Sequence, residues 1–153
     1  MSARILIADD HEVVRQGIRT ILQARPDWEI CGEAVNGQEA VRLAQELQPN
    51  AIIMDITMPV MSGLEAARQL TKLGVNSPIL IFTMHESRSL AESVQETGAR
   101  GFVFKSRAAR DLIEALECLL NGGTYFGPEE KKPVPEQTKP TPGTTFFRSF
   151  SFV

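Results

Sequence analysis

The sequence predicts an α/β fold: a doubly wound, five-stranded parallel sheet with helices on both faces. Three observations carry that expectation. Five short apolar runs recur at regular intervals along residues 4–104, stretches with helical spacing of apolar residues lie between them, and the connections are short. Strand and helix alternating in this way close by right-handed crossovers into a parallel sheet.

The first run, Arg4-Ile5-Leu6-Ile7-Ala8, is nearly continuous and rich in β-branched residues, as a strand covered on both faces should be. Val14, Ile18, Ile21 and Leu22 follow at i, i+4, i+7 and i+8, one face of a helix. The run 28–34 is more mixed, which predicts an edge strand. A second helical stripe, Ala40, Leu43, Ala44 and Leu47, lies between the turn at Asn36-Gly37 and Pro49. Ala51-Ile52-Ile53-Met54 is the third strand, and Leu64, Ala67, Leu70 and Leu73 form the stripe after it. Ile79-Leu80-Ile81-Phe82 is the fourth. The next segment, "HESRSLAESVQETGA", offers only Leu90, Ala91 and Val94 to a core, so its helix should be the most loosely anchored. Gly101-Phe102-Val103-Phe104 is the fifth strand, followed by a stripe of Leu112, Leu116, Leu119 and Leu120.

At 153 residues the chain fits one domain and an appendage. The net charge of −3 is uneven: residues 1–127 carry 12 Lys and Arg against 16 Asp and Glu, and residues 128–153 carry 4 against 3. Neither part has the concentrated positive field that nucleic-acid binding needs, so no nucleic acid is expected through this chain. No apolar run reaches membrane-spanning length, and Asp9 and Asp10 come too early for a secretory leader. Cys31 and Cys118 are in no ligand spacing and read as small buried hydrophobes of a cytoplasmic protein. Met54, Met58, Met61 and Met84 read as packing residues.

Residues 1–127 form the expected folded unit. After Gly127 the composition turns to Pro, Lys, Glu and Thr, and five prolines between 128 and 142 predict an extended, disordered spacer. Phe146, Phe147, Phe150 and Phe152 then make an aromatic tail with two open readings. One is a disordered remnant, the other a docking peptide that adds a strand to a partner or offers its terminal carboxylate.

The chemistry lies at the carboxyl ends of the strands, where sheets of this kind bind ligands. Strand one ends in Asp9-Asp10, strand three in Asp55, strand four in Thr83 and strand five in Lys105. Any one of these acids alone reads as a helix N-cap or a solvated strand end; together they point to a shared pocket. Crowded carboxylates repel one another unless a cation joins them, and an oxygen-only donor set suits Mg²⁺. A metal beside a carboxylate, with an ammonium and a hydroxyl opposite, is equipment for phosphoryl transfer.

Here the sequence resembles a known family. "ADDHEVVRQGIRTIL", "MDITMPVMSGLEA", "ILIFTMHES" and "GARGFVFKS" are similar to the receiver domain of bacterial two-component response regulators, and "RDLIEALECLLNGGTYFGPE" resembles the NarL/FixJ class. The resemblance covers about residues 3–128. It implies a flavodoxin-like sheet of strand order 2-1-3-4-5 and a signalling switch with Asp55 as phosphoacceptor. Asp9, Asp10, Asp55 and the backbone carbonyl of Thr57 would bind Mg²⁺. Lys105 and Thr83 would hold phosphoryl oxygens, with Thr83 and Phe102 as the switch pair, and Pro59 and Gly63 would shape the loop after Asp55. The implied donor is a sensor histidine kinase or phosphotransfer protein, with a homodimer on phosphorylation as a further partner. The implied output is protein contact through the fourth helix, fifth strand and fifth helix. Such a domain is consumed once per cycle and is not an enzyme.

Three departures from the family pattern stand out. Glu12 replaces a common proline, Ser106 follows Lys105 where a proline after a cis bond is usual, and the helix-turn-helix domain of the class is not read in this sequence. The last leaves an alternative, the receiver part of a truncated DNA-binding regulator. An aspartyl-phosphate hydrolase is disfavoured because Thr57 stands where a second acid belongs. His11 and His85 read as solvent-facing, with His85 and Thr57 flanking the water path to the phosphoryl group.

Overall fold

The computed structural model describes residues 2–84, 87 and 89–126. His85 and the proposed spacer and aromatic tail of 128–153 lie outside the described residues. Five strands, β1 (Ala3–Ala8), β2 (Trp28–Ala34), β3 (Ala51–Asp55), β4 (Ile79–Thr83) and β5 (Gly101–Phe104), form one parallel sheet in the order β2-β1-β3-β4-β5. Between and after them run α1 (Glu12–Leu22), α2 (Gly37–Leu47), α3 (Gly63–Lys72), α4 (Leu90–Glu96) and α5 (Ala108–Leu120), the last preceded by a 3₁₀ turn over Lys105–Arg107. As expected, the mixed run became an edge strand.

Period-two alternation along the strands divides the core between the two faces. Leu6, Ile52, Met54, Ile79, Ile81 and Phe102 pack under α2, α3 and α4. Ile5, Ile7, Ile53, Leu80, Phe82 and Val103 pack under α1 and α5. The central strands are buried on both sides, which is why their sequence reads as unbroken apolar runs. The loosely anchored helix is α4, a 7-residue segment burying only Leu90 and Val94.

Helix ends explain where the chain turns. Asn36 Oδ1 accepts the Glu39 amide at 2.7 Å and Ser62 Oγ accepts that of Glu65 at 3.2 Å, so α2 and α3 start on side-chain caps. After α3, Gly74 adopts φ +77° and the Val75 amide bonds back to the Leu70 carbonyl, reversing the chain. Leu73 therefore ends as an exposed cap rather than continuing the buried stripe its spacing predicts. Met84 is likewise exposed, one residue beyond β4, while Met54 and Met58 are core. Both cysteines are free and only half-buried, less enclosed than expected.

The sheet edge at β5 is not open. Gly122 at φ +89° ends α5, and the Gly123 amide bonds to the Cys118 carbonyl at 2.8 Å. The chain then lies parallel to β5: the Tyr125 amide donates to Arg100 and the Phe102 amide donates to Tyr125, each at 2.9 Å. The sequence held no periodic signal for this three-residue strap.

Candidate phosphoacceptor site

The carboxyl edge of the sheet gathers the residues that the strand ends predict. Asp9 and Asp55, on adjacent strands, are buried, and Lys105 reaches across from the far side of the sheet. Its Nζ lies 2.9 Å from Asp9 Oδ2 and 3.3 Å from Asp55 Oδ1. Asp10 and His11 close the other side, with His11 Nδ1 at 3.2 Å from both Asp9 Oδ1 and Asp10 Oδ1.

One donor atom from each of Asp9, Asp10, His11 and Asp55 lies within 4.8 Å of the others. Asp9 Oδ2 and Asp10 Oδ1 are shut from solvent yet accept no aligned hydrogen bond, although charged or polar nitrogens come near both. Buried carboxylate oxygens in that condition are costly, and a cation relieves them. Burial first, then the Asp9 charge, push the Asp55 carboxyl above its ordinary pKa, against the pull of Lys105. Three carboxylates face one ammonium, so the pocket is short of positive charge, and its donor set could hold a divalent ion.

Thr83 is fully buried at the end of β4. Register pairs it with Phe104, and pairs Ile81 with Phe102, so alternation sets Thr83 and Phe102 on the same face of the sheet. Phe102 is already buried, its ring 5.3 Å from that of Phe104 and 6.1 Å from that of Phe126. Thr57 lies exposed in the loop between β3 and α3. Within that loop Val60 takes φ +71° and the Met61 amide bonds to the Pro59 carbonyl at 2.7 Å, a γ-turn of the strained, positive-φ kind. The Lys105–Ser106 bond is trans, as are the other peptide bonds of the described residues.

Sequence reasoning missed the support beneath Asp9. Arg15 Nη1 donates to the Asp9 backbone carbonyl at 2.7 Å, and its Nε bonds Glu33 at 2.8 Å. Arg19 holds the same Glu33 at 2.6 Å, and Glu12 bonds both arginines. The signal was the i, i+4 spacing of Arg15 and Arg19 beside an acidic pocket, legible only once β2 brings Glu33 alongside. Glu12, where a proline is common, thereby gains a structural role at the first turn of α1.

A parallel sheet of this order, with aspartates on adjacent strands facing a lysine, defines a receiver fold. The chain belongs to the response regulator receiver domain family, which matches residues 5–117. It is 38% identical over 133 residues to the transcriptional regulatory protein YdfI of Bacillus subtilis, covering 87% of this chain and 62% of that protein. It is 36% identical over 126 residues to the transcriptional regulatory protein DegU of Brevibacillus brevis, covering 82% of this chain and 53% of that one. The chain thus spans only part of the length of the curated relatives it matches. Among solved structures, a two-component response regulator of the LuxR family from Aurantimonas superposes with TM-score 0.80 at 38% identity, covering 84% of this chain and 92% of that one. Among the described residues no helix is long and apolar enough to cross a membrane.

Proposed function

We propose that this chain is a phosphorylation-controlled switch of a two-component system, working in the cytoplasm, with Asp55 as its phosphoacceptor. One observation carries the reading: Lys105 Nζ sits between Asp9 and Asp55 at the carboxyl edge of the sheet, 2.9 and 3.3 Å away. A carboxylate held beside a fixed ammonium is placed to attack phosphorus while the ammonium meets the charge building on a phosphoryl oxygen.

In the proposed reaction an Asp55 carboxylate oxygen bonds to phosphorus as the nitrogen–phosphorus bond of a phosphohistidine breaks. The imidazole leaves with the bonding pair and takes a proton, and an acyl phosphate remains on Asp55. The donor is a sensor histidine kinase or a phosphotransfer protein. Asp9, Asp10, Asp55 and the Thr57 carbonyl would hold Mg²⁺, which when bound neutralises charge on the phosphoryl oxygens. Thr83 donates its hydroxyl to a phosphoryl oxygen, and Phe102, on the same face, responds. Few contacts oppose movement of α4, so the face made by α4, β5 and α5 is the surface offered to a protein partner. The domain acts once per phosphorylation and is not an enzyme.

Incubation with Mg²⁺ and acetyl phosphate should add one phosphoryl group to the intact protein, seen by mass, and none to Asp55→Asn. Labelling retained in that variant would remove Asp55 as the acceptor. Residues 1–127 are proposed as the autonomous unit, so deleting residues 128–153 should leave the labelling unchanged.

A further inference from the structure

The outer edge of β5 is occupied by residues 124–126 of the same chain, and this contact bears directly on Phe102. Two backbone hydrogen bonds fix the strap, one of them from the Phe102 amide itself to the Tyr125 carbonyl. Gly101 makes the approach possible: a Cβ there would lie 2.2 Å from the Tyr125 oxygen. The strap straddles the edge, since Phe126 packs with the Phe102 side of the sheet and Tyr125 with the α1 and α5 side. The Phe126 ring meets the Phe102 ring edge to face, so Phe102 cannot rotate without changing that contact.

The strap is also held at a local cost. Tyr125 is 1% exposed, and its hydroxyl has no hydrogen-bond partner among the described residues. Releasing that hydroxyl to water would recover hydration, which offsets part of the ring packing and the two backbone bonds that hold the strap.

We propose that residues 124–126 are the output contact of the switch: reorientation of Phe102 loosens the strap from β5 and so passes the phosphorylation signal into the chain after α5. The proposal rests on the phosphoacceptor reading above and adds its route out of the domain. Phe126 acts here through Phe102 and is a positioning residue.

Tyr125 is the only tyrosine of the chain, so fluorotyrosine incorporation into the full chain gives a single ¹⁹F resonance. Addition of beryllofluoride with Mg²⁺ should displace that resonance and remove protection from the Phe102 and Tyr125 amides, alongside exchange changes in residues 89–104. Phe126→Leu should retain the changes in 89–104 and shrink the ¹⁹F response, and Phe126→Ala should do so further. A resonance that stays fixed while residues 89–104 respond overturns the strap as output and leaves the switch standing. If neither responds, the phosphoacceptor reading falls, and the strap proposal with it.

Discussion

Gly63 packs against the backbone carbonyl of Asp55 so closely that a Cβ on Gly63 would lie 1.8 Å from that oxygen. The Gly63 amide also bonds the Ile56 carbonyl at 2.7 Å, so the start of α3 is stitched to the strand end that carries the acceptor. A methyl group here must push β3 or α3 away. Gly63→Ala should lower stability by about 1–3 kcal/mol, the usual range for overpacking. It should also slow acetyl phosphate labelling, because the Asp55 carboxylate moves with its backbone. Urea denaturation and intact mass together check this; unchanged values in both would show that the loop absorbs the methyl.

Val60 holds the opposite kind of strain. A β-branched residue at φ +71° is disfavoured by about 1–3 kcal/mol. Glycine removes that penalty while adding freedom to the unfolded chain worth about 0.4–1 kcal/mol. Val60→Gly should therefore raise stability by about 1 kcal/mol, and its urea midpoint should exceed that of the wild type. A lower midpoint would mean that the exposed Val60 side chain contributes packing that its position does not suggest.

The raised pKa of Asp55 sets a direction for stability. The folded state binds this proton more tightly than the unfolded chain, so stability falls as pH rises from the ordinary carboxylate pKa through the raised one. Above that window the ionised Asp55 is a liability, and Asp55→Asn should there be more resistant to urea than wild type in the presence of a chelator. Added Mg²⁺ should narrow the difference by stabilising the wild type more, as a ligand bound to the native state does. A less stable Asp55→Asn protein would contradict the account in which burial, then the Asp9 charge, disfavour the ionised carboxyl.

Tyr125 titrates in a separate window. Burial, with the nearby Asp111 next in weight, holds its phenol up at about 12, above the ordinary value of about 10. The stabilising contribution is complete below about pH 10, where the unfolded chain still keeps its phenolic proton. It is lost as pH rises toward 12. Phenolate absorbance should show one late transition in the native protein that moves to the ordinary range in urea. Tyr125→Phe deletes a buried hydroxyl without a hydrogen-bond partner among the described residues and should raise stability at neutral pH by about 1 kcal/mol. Destabilisation instead would show that the hydroxyl has a bound water.

The amino-acid sequence by itself determined the strands, the faces of most helices, and the identity of the acids and lysine at the strand ends. Those signals are local: a strand buried on both faces must be apolar throughout, and Asp9, Asp10 and Asp55 interrupt that pattern where the strand stops. The strand order came from resemblance to a family, since no run of residues states which neighbour it will pair with. Only the tertiary structure decided the rest. Leu73 and Met84 sit just past the end of an element, where one turn of backbone moves a side chain from core to solvent. Arg15 supports Asp9 because β2 delivers Glu33 from a distant part of the chain. The strap's hydrogen bonds to β5 are all main-chain, and Gly101 permits the approach by lacking a Cβ. Main-chain hydrogen bonds are available to almost every residue, and two adjacent aromatics set no period, so this pairing leaves little to read in the sequence. It forms because α5 ends at Gly122 pointing back toward an edge strand that still has donors and acceptors to satisfy.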